Sequence, residues 1–278
     1  PRSTLVPSSA ASDVYKRQGQ RLRHWRQHRR LSQQELSHQA EISTRHVSFL
    51  ETDRSVPSRE MVLRLAERLQ LPLRERNQLL TSAGYAAMYR ERPLDHPDMA
   101  QARAAVDLIL RCHEPYPALA MDRHWHMVAA NRMVPVFLSG VAPALLQPPV
   151  NILRLSLHPQ GLAPQIANLG QWKHHLFERL QQQIQNTGDP ALRALLEELK
   201  GFDSQHGPDR AHLQGEARGV LMPFQLDTAH GQLNLISTVT IFGSPVDITL
   251  QELALETFLP ADTQTTAILQ HFYKGIDA

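Results

Sequence analysis

Two helix starts set close together constrain the chain more than any other feature. In LSQQELSHQAEISTRHVSFLETD, Ser32 stands at an N-cap with Glu35 three positions later, the spacing of a capping box. Ser43 is a second N-cap, opening a helix whose inward side carries Val47 and Leu50 with Phe49 beside them. So few residues lie between the two helices that they must turn sharply against each other. Apolar residues at three- and four-residue spacing continue the helical pattern on both sides. GQRLRHWRQHR places Leu22 and Trp25, with Gln20, along one side, and SREMVLRLAERLQL aligns Met61, Val62, Leu65, Ala66 and Leu69. PLRERNQLLTSAG begins with Pro72, favourable at a helix N-terminus, and stops at Gly84. Residues 19–90 therefore read as an all-α domain of five short helices.

Charge divides unevenly along the chain. Residues 1–92 carry 17 Lys and Arg against nine Asp and Glu, a net of +8, and the remainder carries −6, giving the overall +2. A basic first third ahead of an acidic remainder places a polyanion partner at the N-terminal part. In a helix-turn-helix the third helix enters the major groove and the N-terminus of the second approaches a phosphate. Polar residues cluster at those two places: Gln33 and Gln34 on the second helix, then Ser43, Thr44, Arg45, His46 and Ser48 on the third. Arg45 offers a bidentate fork to guanine, and Arg21, Arg54 and Arg59 are candidates for phosphate. The stretch from Leu31 to Leu69 resembles the lambda-repressor-like, XRE-type helix-turn-helix family over roughly residues 19–83. The resemblance implies that Gln33 contacts the DNA backbone and that Thr44 and Arg45 read bases, supported by His46 and Ser48. Asp53 stands where that family has Gly, and Asp tolerates the left-handed conformation such a turn needs.

Residues 1–18 lack apolar periodicity and read as a disordered lead. SDVYKRQ has the look of translated adapter sequence, which would put the family start near Gly19. No stretch approaches the roughly 18 apolar residues of a membrane span, so the cytoplasm is the expected compartment, with no membrane partner. The single cysteine, Cys112, excludes a disulfide framework and reads as a small buried hydrophobe.

Beyond the linker-like RPLDHPD the pattern changes. MAQARAAVDLILRC is an amphipathic helix with Ala102, Val106, Ile109 and Leu110 near one face. YPALAMD and WHMVAAN form a hairpin around Arg123 and His124, and short helices and loop follow to Asn151. QWKHHLFERLQQQIQNTG and DPALRALLEELKG are helices, the second with Asp189 as N-cap and Pro190 in the first turn. GVLMPFQLD, LNLISTVTIFG and ITLQELALETFLP read as strands, and ADTQTTAILQHFY closes the domain as a helix. Residues 94–278 are thus an α+β domain with a five-stranded, mostly antiparallel sheet. YPALAMDRHWHMVAANRM, NILRLSLHPQG and GSPVDITLQELALETFLPAD are similar to the PAS-like ligand-binding domain of MmyB-like transcription regulators.

No G-x-S-x-G elbow, H-E-x-x-H helix, P-loop or G-x-G-x-x-G occurs, so no enzyme is expected. His124 and His126, and the pair His174 and His175, are candidate metal ligands, but no Cys or acidic cluster completes a site and no metal is expected. Apolar side chains are abundant, among them Leu119, Leu153, Leu157, Phe177, Leu221, Leu235, Ile241 and Phe258. The MmyB-like resemblance implies that part of this surface encloses a small apolar, fatty-acid-like ligand, with no other cofactor. Met121, Trp125, Met127, Trp172, Leu176 and Phe224 are the candidate walls, and Asn131, Arg132 and Arg154 the candidate polar groups. The two resemblances imply a ligand-responsive transcription regulator that binds a double-stranded operator as a homodimer. The alternative is a ligand-free C-terminal module for dimerisation or protein interaction.

Overall fold

The computed structural model describes residues 9–202, 222–243 and 245–276, which divide into two compact units. The first is Pro1–Arg92 together with Ser244–Gln251. Its helices are α1 (Ser9–His28), α2 (Gln33–Ala40), α3 (Thr44–Glu51), α4 (Arg59–Arg68) and α5 (Leu73–Ser82). Both N-caps form as expected. Ser32 Oγ accepts from Glu35 N while Glu35 Oε2 accepts from Ser32 N, and Ser43 Oγ accepts from His46 N at 3.1 Å. Leu22, Leu36, Val47, Leu50, Leu65 and Leu80 close the core. Glu41, which ends α2, and Asp53, beyond α3, both hold left-handed backbone at φ 56 and φ 55, so Asp53 meets the demand expected of it.

Several expectations give way here. Helix α1 starts at Ser9, inside the stretch read as a disordered lead, because helix already nucleated from Gly19 onward extends back through SAASD at little cost. Gln20 is exposed, and Phe49 is half-buried. Gly19 lies where α1 crosses the end of α3: a Cβ there would sit 2.6 Å from Leu50 O, and its N–H donates to Asp53 Oδ1 at 2.9 Å.

The second unit is Pro93–Gly243 and Glu252–Ala278. It contains α6 (Ala100–Cys112), β1 (Ala118–Met121), β2 (Met127–Ala130), α7 (Ile152–Leu157), α8 (Leu169–Thr187), α9 (Pro190–Lys200), β3 (Pro223–Thr228), β4 (Gly231–Ile241), β5 (Ala254–Pro260) and α11 (Thr263–Ile276). The intervening α10 (Ile248–Gln251) belongs to the first unit. All strand pairs are antiparallel, in the order β2-β1-β5-β4-β3, so β5 is central. Alternation along β1 divides the packing. Ala118 and Ala120 join Val106 and Leu110 of α6, while Leu119 and Met121 join the larger core with α8, α9 and α11. Asp189 caps α9 as expected, its Oδ1 accepting from Ala191 N at 2.9 Å.

The reading of ITLQELALETFLP as one strand is half right. Ile248–Gln251 is a helical turn capped by Asp247, and pairing begins only at Ala254. The start of GVLMPFQLD, residues 219–221 with Leu221, lies outside the described residues, and its strand begins at Pro223. In α6 only Val106 and Leu110 turn fully inward, leaving Ile109 41% exposed and Cys112 at the surface, two positions out of phase with Leu110. Ile241 is also exposed, at the end of β4.

Candidate nucleic-acid interface and ligand pocket

In the first unit α3 presents Thr44 and Arg45 outward, with His46 and Ser48 half-buried beside them. The Arg45 guanidinium lies 5.2 Å from the Phe49 ring centroid on the same helix, which supports the fork while leaving its donors to solvent. Thr44 Oγ1 and Ser37 Oγ are 3.0 Å apart, tying the start of α3 to α2. Ser43 is occupied as a cap, so its hydroxyl serves the helix first. Gln33 is half-buried, with Nε2 donating to Glu51 Oε2 at 2.8 Å, and Gln34 is exposed. Glu51 in turn holds Arg26, whose Nη2 donates to Oε2 at 2.9 Å and whose Nη1 donates to Leu31 O. That triad, buried at Arg26 and Glu51, fixes the second helix against the third. Arg54 and Arg59 are exposed, whereas Arg21 donates to Gln78.

Arg45→Ala is expected to weaken binding to a specific operator by about 10- to 100-fold and to relax selectivity at one base position, since a bidentate base contact discriminates by about 1–3 kcal/mol. Gln33→Ala should weaken all sequences alike. Titration of both variants against specific and scrambled duplexes separates the two roles.

The second unit contains a cavity of about 100 Å³ whose wall is apolar apart from Ser156 and Glu256. Of the expected wall residues Trp125, Trp172, Leu176 and Phe224 line it. Met121 is buried in the core beside it without reaching the cavity, and Met127 packs at the core's margin. Sequence reading did not name Phe137, Leu138, Ile152 or Leu162, which stand on short helices and loops where no periodicity marks an inward side.

Trp125 owes its position to a strained turn. Its φ of 66 is left-handed, rare for a bulky residue. Asp122 holds it there: Oδ1 accepts from His124 N at 2.8 Å and from His126 N at 2.9 Å, and the Asp122 carbonyl accepts from Trp125 N. The indole Nε1 donates to Gln183 Oε1 at 2.7 Å, and the Arg179 guanidinium lies 4.8 Å from the ring centroid. Asp122 also brings an acidic group to His124 and His126, which the sequence reading lacked, and their ligand atoms lie within 4.8 Å of one another. These groups are already engaged, His126 Nδ1 with Asp122 and His124 Nε2 with Asp189, each at 3.1 Å. His174 lies beside Glu178 and is not part of this group. His175, its ring tilted against that of Trp172 at 5.5 Å between centroids, has its pKa lowered chiefly by burial.

None of the three expected polar groups is among the residues that line the cavity, and each has protein partners. Asn131 is a buried bracket whose Oδ1 accepts from Ala118 N and Met133 N and whose Nδ2 donates to Leu110 O and Tyr116 O. Arg132 pairs with Glu114 and donates to Tyr273 Oη at 2.7 Å. Arg154 forms two 2.7 Å bonds to Glu198. Each side chain found a partner remote in sequence, which the local motif could not show.

The hydrogen bond from Arg132 holds the Glu114 carboxyl below its ordinary value of 4.5, against the opposing effect of burial. The pair's contribution is therefore complete above that ordinary value and is lost as pH falls through the lowered one. Denaturant titrations at several pH values should show Arg132→Met less stable than the unaltered protein at neutral pH, with the difference shrinking in acid to what the Tyr273 contact contributes.

A helix-turn-helix unit combined with an α+β unit that holds an apolar-walled pocket defines a DNA-binding transcription regulator with a ligand-binding domain. The family model for the MmyB-like transcription regulator ligand binding domain matches residues 102–271, and that for a helix-turn-helix domain matches residues 18–79. The chain belongs to the MmyB-like family. No curated protein matches it. Among solved structures, an RNA-binding Light-Oxygen-Voltage receptor is similar at 12% identity over 97% of this chain and 70% of that one, with a TM-score of 0.25, too low to inform fold or function. Among the described residues no helix is long and apolar enough to cross a membrane.

Proposed function

We propose that the protein is a sequence-specific regulator of XRE type that binds its operator as a homodimer, and that its PAS-like domain takes up a small apolar ligand with a fatty-acid-like aliphatic tail. The observation that carries the ligand reading is the cavity, whose wall leaves water almost no hydrogen-bonding partner. Apolar cavities of comparable size stay dry and accept apolar guests. Its volume of about 100 Å³ is below the roughly 300–1,000 Å³ of ordinary ligand pockets. Uptake of a chain therefore requires side chains of the wall to yield, and a conformation selected by ligand is what could bias dimer geometry and half-site spacing.

Comparison of native and denaturing mass spectra of the full-length protein tests the reading. A mass that stays bound natively after incubation with aliphatic ligands and leaves on denaturation is the expected result. A protein that remains empty under saturating ligand would overturn it in favour of a ligand-free interaction module. The same native spectra report the dimer.

A further inference from the structure

The polar exception in the cavity wall that stands on the sheet is Glu256. It lies on the central strand β5, paired with Leu119 of β1 on one side and Val239 of β4 on the other, so it shares the cavity face with Leu119 and Phe258. The residue is 3% exposed. Its Oε1 takes both of its bonds, from Arg179 Nη1 at 3.0 Å and from Ser237 Oγ at 2.6 Å. Oε2 has no partner among the described residues. The second polar group, Ser156, accepts from Trp172 Nε1 at 3.0 Å through its Oγ.

A buried carboxylate with a spare acceptor oxygen beside an apolar cavity selects among ligand heads. Arg179 already balances the charge of Glu256. An ionised carboxylate on the ligand would add an unpaired negative charge to a dry site, and an ammonium would add an unpaired positive one. An uncharged donor adds no charge and satisfies Oε2. Resting on the ligand reading above, we propose that the cavity takes aliphatic molecules with a hydroxyl head, which donates to Glu256 Oε2, and discriminates against free carboxylates.

The test uses the full chain with three probes of one tail class: 1-octanol, its isomer heptyl methyl ether, which has the same atoms but no donor, and octanoate at pH 8. Quenching of tryptophan fluorescence reads binding, because Trp125 and Trp172 both line the cavity. 1-Octanol should bind at least about tenfold more tightly than the ether, the scale of a hydrogen bond to a charged acceptor. In Glu256→Gln the amide oxygen can take the Arg179 and Ser237 donors and turn its NH₂ to the cavity, so the preference should invert toward the ether and octanoate should gain. A merely structural Glu256 would move all three affinities together. Equal binding of the two isomers by the unaltered protein, or tightest binding of octanoate, would overturn the head-group assignment while leaving the apolar-ligand reading standing. Failure of all three probes to bind would overturn both.

Discussion

Replacing Glu51 by Ala should cost the N-terminal unit about 3–5 kcal/mol, the scale of stranding one partner of a buried ion pair. The Glu51 side chain is 1% exposed and Arg26 10%. Truncation leaves a guanidinium with its bond to Leu31 O and little water to replace the rest. It also releases Gln33, whose amide is aimed by Glu51 Oε2. Urea unfolding followed through Trp25, buried in the same core, would measure the loss. A change below about 1 kcal/mol would show that water reaches Arg26 freely. Operator titration at a temperature where the variant stays folded should then show the general weakening expected for Gln33→Ala, without the base-specific relaxation of Arg45→Ala.

The second large effect belongs to the other unit. Trp125→Ala is expected to cost about 3–5 kcal/mol, the usual range for deleting a buried aromatic side chain. Trp125 is 5% exposed, holds Gln183 and supports the Arg179 guanidinium, and its backbone stays at a positive φ that Ala tolerates no better. Unfolding reported by Trp172 should shift to lower denaturant, while the signal of Trp25 should keep its midpoint if the two units melt separately. Aliphatic ligands should lose quenching and affinity together. An unchanged midpoint would mean that the indole packs far less closely than its burial indicates.

Much of the fold was legible because it is written in local signals. Ser32 with Glu35, Ser43, and Asp189 with Pro190 mark helix starts through bonds spanning two or three residues, and all three form. Strand alternation likewise located the five-stranded sheet. What sequence could not show depends on partners brought together by folding. Gly19 is demanded by Leu50 O across a helix crossing, and nothing near Gly19 in the chain announces it. Arg132 and Arg154 stood beside family-like motifs and yet point to Glu114 and Glu198. Glu256, by contrast, went unnoticed inside ALETFLP because an acidic residue in a strand ordinarily faces water. Alternation did carry the clue: it shares a face with Phe258, two residues on. For the proposed DNA-reading face the candidates came from spacing, and the structure adds that Thr44 and Arg45 are exposed and that a Gln33–Glu51–Arg26 bracket stands behind them.

The short α10 turn carries a consequence for anyone wishing to cut the protein into parts. Its Gln251 Oε1 accepts from Leu73 N at 2.6 Å, where Pro72 provides no side-chain cap, Ile248 N donates to Arg90 O, and the nearly inaccessible Asp247 receives Arg92. A fragment ending at Arg92 would expose the first turn of α5 and remove Asp247 from Arg92. The remaining fragment would carry Asp247 without its arginine partner, in a loop between two neighbouring strands. The reading head is therefore completed by a piece encoded more than half a chain later. Transplanting this reading head must carry that late piece along with it, and a protease that clips the β4–β5 connection would damage the DNA-binding unit without touching its first ninety residues.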